Sequence, residues 1–368
     1  KEKEEEKMWE KVKKLFAPSD MTVGTPWKKI VAFMIPMLIG NIAQQMYNTV
    51  DSIVVGRYVG DNALAAVGSA GPIFQLLLVL FAGIAVGAGI MVSQYFGAKA
   101  RDELSETIGC CITLTILASL ALMILSPFIV RPLLELLDTP ASIIDWCDSY
   151  LMILMIGIGG LAFYNILSGI LRGMGDSVSA LLYLLIATVM NIVLDIFFVK
   201  DLQMGVSGVA LATVIAQTFS GILCLIRLMK MRDIFDLKLR YLRPKKKYCF
   251  SLIRLGIPSG LTQMILSMAM IVVQSLTNSF GEQFIAANVI VMRVDGFAMM
   301  PNFSFGTTMT TYAGQNVGAR KYDRVYQGAR QGTLIAMATS ATITGLILIF
   351  GRQLMGIFTD TVSLVDLS

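Results

Sequence analysis

Nine apolar stretches, each long enough to cross the hydrocarbon core of a bilayer, follow one another along the chain and fix its solvent before anything else. They lie at roughly 29–55, 64–95, 105–128, 142–170, 178–199, 207–229, 250–277, 284–313 and 328–350. A backbone inside lipid has no water to bond, so only helices or a closed barrel can cross. Stretches this long and this evenly apolar lack the alternation of barrel strands, and the expected fold is an all-α polytopic membrane protein. Composition agrees: 55% of the 368 residues are hydrophobic and 15% charged, with a mean hydropathy of +0.70, too polar-poor for a water-soluble globule.

Placement of the basic residues sets the topology. Lys99, Arg101, Arg172, the nine Lys and Arg from Arg227 to Lys247, Arg320, Lys321, Arg324 and Arg330 fall on one side, sixteen in all. Only Arg57, Arg131, Lys200 and Arg352 fall on the other. The positive-inside rule then puts the N-terminus in the cytoplasm of a multi-pass protein of the inner (plasma) membrane. A net charge of +5 explained by such loops leaves no reason to expect a nucleic-acid partner. Residues 1–26 read as a charged cytoplasmic segment whose leading KEKEEEKMWEKVKK is a solvated helix, and no cleavable signal peptide is expected.

Without histidine, His-based triads, His metal ligands and His proton shuttles are excluded. Five cysteines, odd in number and without C-x-x-C spacing, read as buried free thiols rather than a metal site or disulfide frame.

The chain also repeats itself at an offset of 221 residues. Gly60-Asp61-Asn62 matches Gly281-Glu282-Gln283, Ala65-Ala66 matches Ala286-Ala287, and Gln94 with Gly97-Ala98-Lys99 matches Gln315 with Gly318-Ala319-Arg320. Ile35-Pro36 and Ile257-Pro258 agree after a one-residue slip. The expected organisation is an N-lobe of six spans at 27–231, a basic cytoplasmic linker at 232–247 and a C-lobe of three spans at 248–368. A complete second copy needs on the order of 80 to 90 further residues, so the chain is expected to be truncated, with artificial ends. An even number of spans per copy gives both lobes one orientation about a central cleft, an architecture of transporters.

Carboxylates in mid-bilayer are costly and therefore mark function. Three of the 25 acids qualify: Asp51, Asp195 and Asp295. Asp51 closes a stripe of Asn41, Gln44, Asn48, Asp51 and Ser52, whose three- and four-residue spacings share one helix face. That face lines a wet cavity or packs on other polar helices, and valines at 272 and 273 replace the acid in the second copy. Asn191 and Asp195, four apart, share a face of the fifth span. Counted inward from Arg57, Lys200 and the start of the sixth span, Asp51, Asp195 and Thr213 fall at one depth. Asp51, Asn191, Asp195 and Thr213 are thus the candidate cation site, an oxygen cage for Na⁺ or a pair of acids sharing a proton. The bland alternative leaves both acids solvated and idle at the outer interface. Asn41, Gln44, Asn48, Arg293 and Asp295 are candidates for a substrate cavity, with Asp295 equally suited to a structural pairing. Pro36 is a candidate helix-bending position. The methionines at 264–270 and 299–300 read mainly as core filler.

These segments together resemble the multidrug and toxic compound extrusion (MATE) transporters. The likeness covers nearly all of 27–368 and rests on Ile35-Pro36, Val50-Asp51 leading to Val55-Gly56, Gly60 to Ala66, Gln94 to Lys99 with its copy Gln315 to Arg320, Leu171-Arg172-Gly173-Met174-Gly175-Asp176, Asn191-Ile192-Val193-Leu194-Asp195 and Gly205 to Ala212. The resemblance implies a MATE-like two-lobe bundle of twelve helices and efflux of drug-like, often cationic organic compounds against an inward Na⁺ or H⁺ gradient. It also implies cation binding at Asp51, Asn191, Asp195 and Thr213 and bending at Pro36. The branch of the family with a Glu on helix 7 is disfavoured, because 258–270 holds no acid. The expected protein is a monomeric transporter with small organic substrates, the bilayer as its surroundings and no cofactor beyond the coupling ion. A flippase for lipid-linked oligosaccharides is the alternative within the superfamily, weakened by Arg293 being the one mid-span base. An intramembrane enzyme using Asp51 and Asp195 as a dyad fits a six-helix repeat poorly.

Overall fold

The computed structural model describes residues 17–137, 139–278 and 282–356, and every long element in it is a helix. The α-helices are α1 Pro26–Tyr58, α2 Asp61–Gly97, α3 Arg101–Leu136, α4 Ile144–Ile156, α5 Ile158–Gly173, α6 Ser177–Asp195, α7 Val206–Met229, α8 Lys246–Asn278, α9 Glu282–Gly318 and α10 Tyr322–Gly356. No strand occurs among the described residues. The expected terminal helix over Lys1–Lys14 and the repeat match at Gly281 lie outside the described residues.

The apolar stretches map onto these helices with two differences. The fourth is not one helix but α4 and α5, bent by 55° at Gly157. A Cβ on Gly157 would collide with Val214, and one on Gly160 with Thr218, so these glycines let the bent pair seat directly on α7. Counting each bent pair as one, up to eight spans are long and apolar enough to cross a membrane. The stretch left out is the eighth, in α9, one face of which carries the buried polar residues Ser304, Thr308, Thr311, Gln315 and Asn316.

The internal repeat is written into the backbone. The Ala98 N–H donates to the Gln94 carbonyl at 2.9 Å as α2 ends, and the Ala319 N–H donates to Gln315 at 3.0 Å as α9 ends. The next residues, Lys99 at φ 55° and Arg320 at φ 57°, both turn left-handed, a conformation that non-glycine residues rarely adopt. The two copies touch beside these turns, Gly97 against the backbone of Gln315 and Gly318 against that of Gln94. Further along α2, Gly83 crosses Gly256 of α8 so closely that a Cβ on Gly83 would lie 2.7 Å from the Gly256 carbonyl oxygen. Asn41 of α1 adds a bond to Ser304 of α9 at 2.9 Å.

The segment before α1 straps the two halves together at this same end. Its Ser19 N–H donates to Gly175 O at 3.1 Å, in the turn between α5 and α6. Its Met21 N–H donates to Gln315 Oε1 at 2.9 Å, while the Met21 carbonyl accepts from Asn316 Nδ2 at 3.2 Å and Arg324 Nη2 at 3.1 Å. Arg324 Nη1 reaches Gly24 O at 2.8 Å and Lys321 Nζ reaches Thr22 O at 2.9 Å. The Met21 side chain is fully buried among Ile30, Phe33, Phe305 and Tyr312.

The basic loop between α7 and α8 is held by acids at the start of α3. Arg101 pairs with Asp236 at 3.1 Å, Tyr241 donates to Asp102 at 3.1 Å, and Lys245 pairs with Glu106. The Arg101 guanidinium beside Asp236 holds that carboxyl below the usual carboxylate range. This docking brings Cys110 of α3 onto Cys249 of α8, where they form a disulfide with the Cα atoms 6.3 Å apart. The expectation of five free thiols is corrected at that pair; Cys111, Cys147 and Cys224 are free and buried. Residues 139 apart in sequence carry no spacing signal of their contact, which the loop's fold alone creates.

Candidate functional site

Three helices of the first repeat bring the four expected cation-site residues together. Asp51 and Tyr47 come from α1, Asn191 and Asp195 from the last turn of α6, and Thr213 from α7. All are buried, Asn191 and Asp195 completely. A π-helical turn, Ile196–Asp201, begins immediately after Asp195. Such turns break the regular ladder and commonly mark functional sites.

The geometry around Asn191 has two chemical readings. With its amide nitrogen toward the acids, it donates to Asp51 Oδ1 at 2.8 Å and Asp195 Oδ2 at 3.2 Å, and its oxygen accepts from the Tyr47 hydroxyl at 3.2 Å. Turned over, the amide oxygen faces the carboxylates instead and needs a positive charge among them. The Tyr47 hydroxyl also lies 3.0 Å from Thr213 Oγ1; its single proton goes to Thr213 when the amide is turned over, and when it goes to Asn191 the Thr213 hydroxyl can donate to Tyr47 instead. The Asp51 and Asp195 carboxyls both lie against the Asn191 amide, and Asp195 Oδ1 has no partner although no water can reach it. Two adjacent carboxylates removed from water require a proton or cation between them. Hard oxygens of this kind suit a small hard ion. Among the described residues no group of three or more His, Cys, Asp or Glu is placed to hold a metal, so the set is limited to two acids with neutral donors.

Beside the acids opens a cavity of about 520 Å³. Gln44, Asn48, Asp51 and Ser52 line it from α1, joined by Phe74, Tyr150, Thr213 and Gln217 from the surrounding helices. The polar stripe of α1 therefore faces a cavity. Asn41 instead bonds across to Ser304 and borders a second, smaller pocket. Asp295 is exposed and lines neither space, and the Arg293 side chain lies outside the described residues. Tyr47 and Gln217 were missing from the expected set. Tyr47 lies four residues before Asp51 on the same face, a signal available from spacing alone.

Two further polar groups sit deeper than expected. Asp176, read as part of a loop motif, is buried, accepts from the Ser179 N–H at 3.0 Å and Oγ at 2.8 Å, and pairs with Arg227 Nε at 2.9 Å. Arg172, counted as a loop cation, occupies the last turn of α5 and lines the smaller pocket.

An all-helical two-lobe bundle with apolar spans, an internal repeat and a polar cavity between helices is a multi-pass membrane transporter. The chain belongs to the MatE family, whose model matches residues 36–197 and 258–368. The probable multidrug resistance protein YoeA of Bacillus subtilis strain 168 is 31% identical over 339 residues, spanning 90% of this chain and 73% of that protein. YpnP of the same organism, also described as a probable multidrug resistance protein, is 30% identical over 340 residues, spanning 92% and 76%. Among solved structures, a MATE in the straight conformation superposes with a TM-score of 0.87 at 28% identity, covering 95% of this chain and 78% of that one. An outward-facing multidrug resistance MATE transporter of the MOP superfamily gives 0.86 at 28% identity, with the same coverage. These relatives support drug efflux as the general activity.

Proposed function

We propose that the protein is a cation-coupled antiporter that exports drug-like, often cationic, organic compounds in exchange for Na⁺ or H⁺. The observation that carries this reading is the buried pair Asp51 and Asp195, with Asn191, Tyr47 and Thr213 around it and one Asp195 oxygen left without a partner. Arrival of the ion neutralises the pair, turns the Asn191 oxygen inward and changes how α1, α6 and α7 pack, beside the cavity where the substrate sits. Pro36 interrupts α1 on the far side of that cavity and supplies its bending point. Structures of a MATE in a bent and in a straight conformation, both similar to this chain, are consistent with such a change of shape.

The basic loops support an inner-membrane orientation with the N-terminus in the cytoplasm. The strap and the glycine contacts then close the cytoplasmic end, and the cavity belongs to an outward-facing state of a monomer.

The test is efflux of a fluorescent cationic dye from proteoliposomes, first under a sodium gradient alone and then under a proton gradient alone. One gradient should drive efflux, and Asp51→Asn or Asp195→Asn should abolish it. Undiminished gradient-driven efflux in both variants overturns the coupling site.

A further inference from the structure

We propose that Arg172 forms a second ligand subsite, which takes the anionic group of a transported organic molecule: a carboxylate, sulfonate or phosphate. The proposal rests on the efflux reading above and adds a substrate class to it. Arg172 borders a pocket of about 190 Å³ between α1, α5 and α6, with Gln44, Asn165, Ser168 and Ser177 as polar neighbours. Among the described residues no hydrogen bond or ion pair reaches its guanidinium. The nearest acid in sequence, Asp176, is already committed to Ser179 and Arg227. A half-buried guanidinium without a counter-charge is unfavourable, and the fold retains one facing an open pocket. Its five donors in a planar fork match the paired oxygens of a carboxylate or phosphate.

The pocket adjoins the larger cavity. Gln44, Tyr164 and Asn165 line both it and the 520 Å³ cavity, so the two spaces meet at these residues. Gln44 and Asp51 are two turns apart on α1, about 10 Å along the helix axis. The acids serve the coupling ion at one end, and Arg172 selects among substrates at the other. Substrates carrying an anionic group alongside an aromatic body therefore bind here better than their neutralised analogues.

A matched dye pair tests this: tetramethylrhodamine, which carries a free carboxylate, and its methyl ester, which differs only by masking that group. Efflux of both is measured in proteoliposomes for the parent protein, Arg172→Gln and Arg172→Lys. Arg172→Gln should raise KM for the carboxylate dye by about tenfold or more while KM for the ester moves less than twofold. Arg172→Lys, which keeps the charge and loses the fork, should fall between. Equal losses for both dyes would assign Arg172 to folding or gating, and no loss for either would mean the pocket is bypassed; each overturns the proposal. So does an effect that follows the phosphatidylglycerol content of the vesicles rather than the dye's carboxylate, which would make the ligand a lipid headgroup. Asp51→Asn abolishes transport of both dyes if the coupling reading holds, so failure of that reading is seen separately.

Discussion

Gly97 and Gln315 meet backbone to backbone, leaving no room for a Cβ on Gly97 beside the Gln315 carbonyl. The same contact recurs with the roles exchanged, Gly318 against Gln94, so the two repeats close on each other through their own matching residues. Gly97→Ala and Gly318→Ala should each destabilise the protein by roughly 1–3 kcal/mol, because the added methyl meets main chain that cannot rotate away. Gly296→Ala and Gly345→Ala place a methyl in open space within helices and should leave stability unchanged or slightly raised. Melting temperatures of the four variants in detergent check this, and equal shifts would mean the crossing is looser than its geometry.

The strap makes closure of the same end depend on a short segment before α1. Arg324→Gln removes the charged donor that reaches both Met21 and Gly24, and Asn316→Ala removes another bond to Met21. Each change should weaken the strap by about 1–3 kcal/mol. Spin labels at the exposed positions Val23 and Tyr326 provide the readout. The distance distribution should be narrow in the parent and broadened toward longer distances in either variant. An unchanged distribution would show that Met21 packing alone holds the segment.

Much of this architecture was legible from residue pattern because a bilayer leaves the backbone one way to satisfy itself: apolar length alone yields helices. The repeat was legible because identical turns, ending at Lys99 and Arg320, need identical residues. The acid pair followed from Asp51 and Asp195 sharing a depth with Asn191 and Thr213. The break at Gly157 was hidden, since the apolar run continues through it and the close contact that this glycine permits is with Val214 on another helix. Tyr47 was missing from the expected set because its spacing from Asp51 gives a shared face but not the meeting of its hydroxyl with Thr213 on another helix. Arg172 read as a loop charge because the end of α5 is set by the turn at Gly175, with its φ of 87°, rather than by hydropathy. Cys110 and Cys249 were separated by too much sequence for any pattern to join them.

The docked basic loop has a definite pH signature. The Arg101 guanidinium holds the Asp236 carboxyl below its ordinary value. A carboxylate depressed by folding contributes stability that is present above its unfolded pKa, about 3.9, and is lost as pH falls through the folded value. Arg101→Gln should therefore move the Asp236 titration up toward the ordinary carboxylate range. Carbon-13 NMR of aspartate-labelled protein across acidic pH reads this directly. An Asp236 midpoint that stays put in the variant would mean that Arg101 does not hold it.

Tyr47 should tune ion binding without supplying charge. Its hydroxyl lies between Thr213 Oγ1 and the Asn191 amide oxygen, and giving its single proton to that oxygen biases the amide toward presenting nitrogen to the two acids. Tyr47→Phe keeps the ring that packs against the cavity and removes only this bias. If the neutral hydroxyl organises the site, the variant should still transport but should change its half-saturating ion concentration by about three- to tenfold, the range expected for one neutral hydrogen bond. If the hydroxyl mainly anchors Thr213 as a ligand, affinity falls; if it mainly holds the amide in the ion-free orientation, affinity rises. Dye efflux measured over a range of the driving ion separates the two directions. A half-saturating concentration equal to that of the parent would remove Tyr47 from the site and leave it as packing for α1.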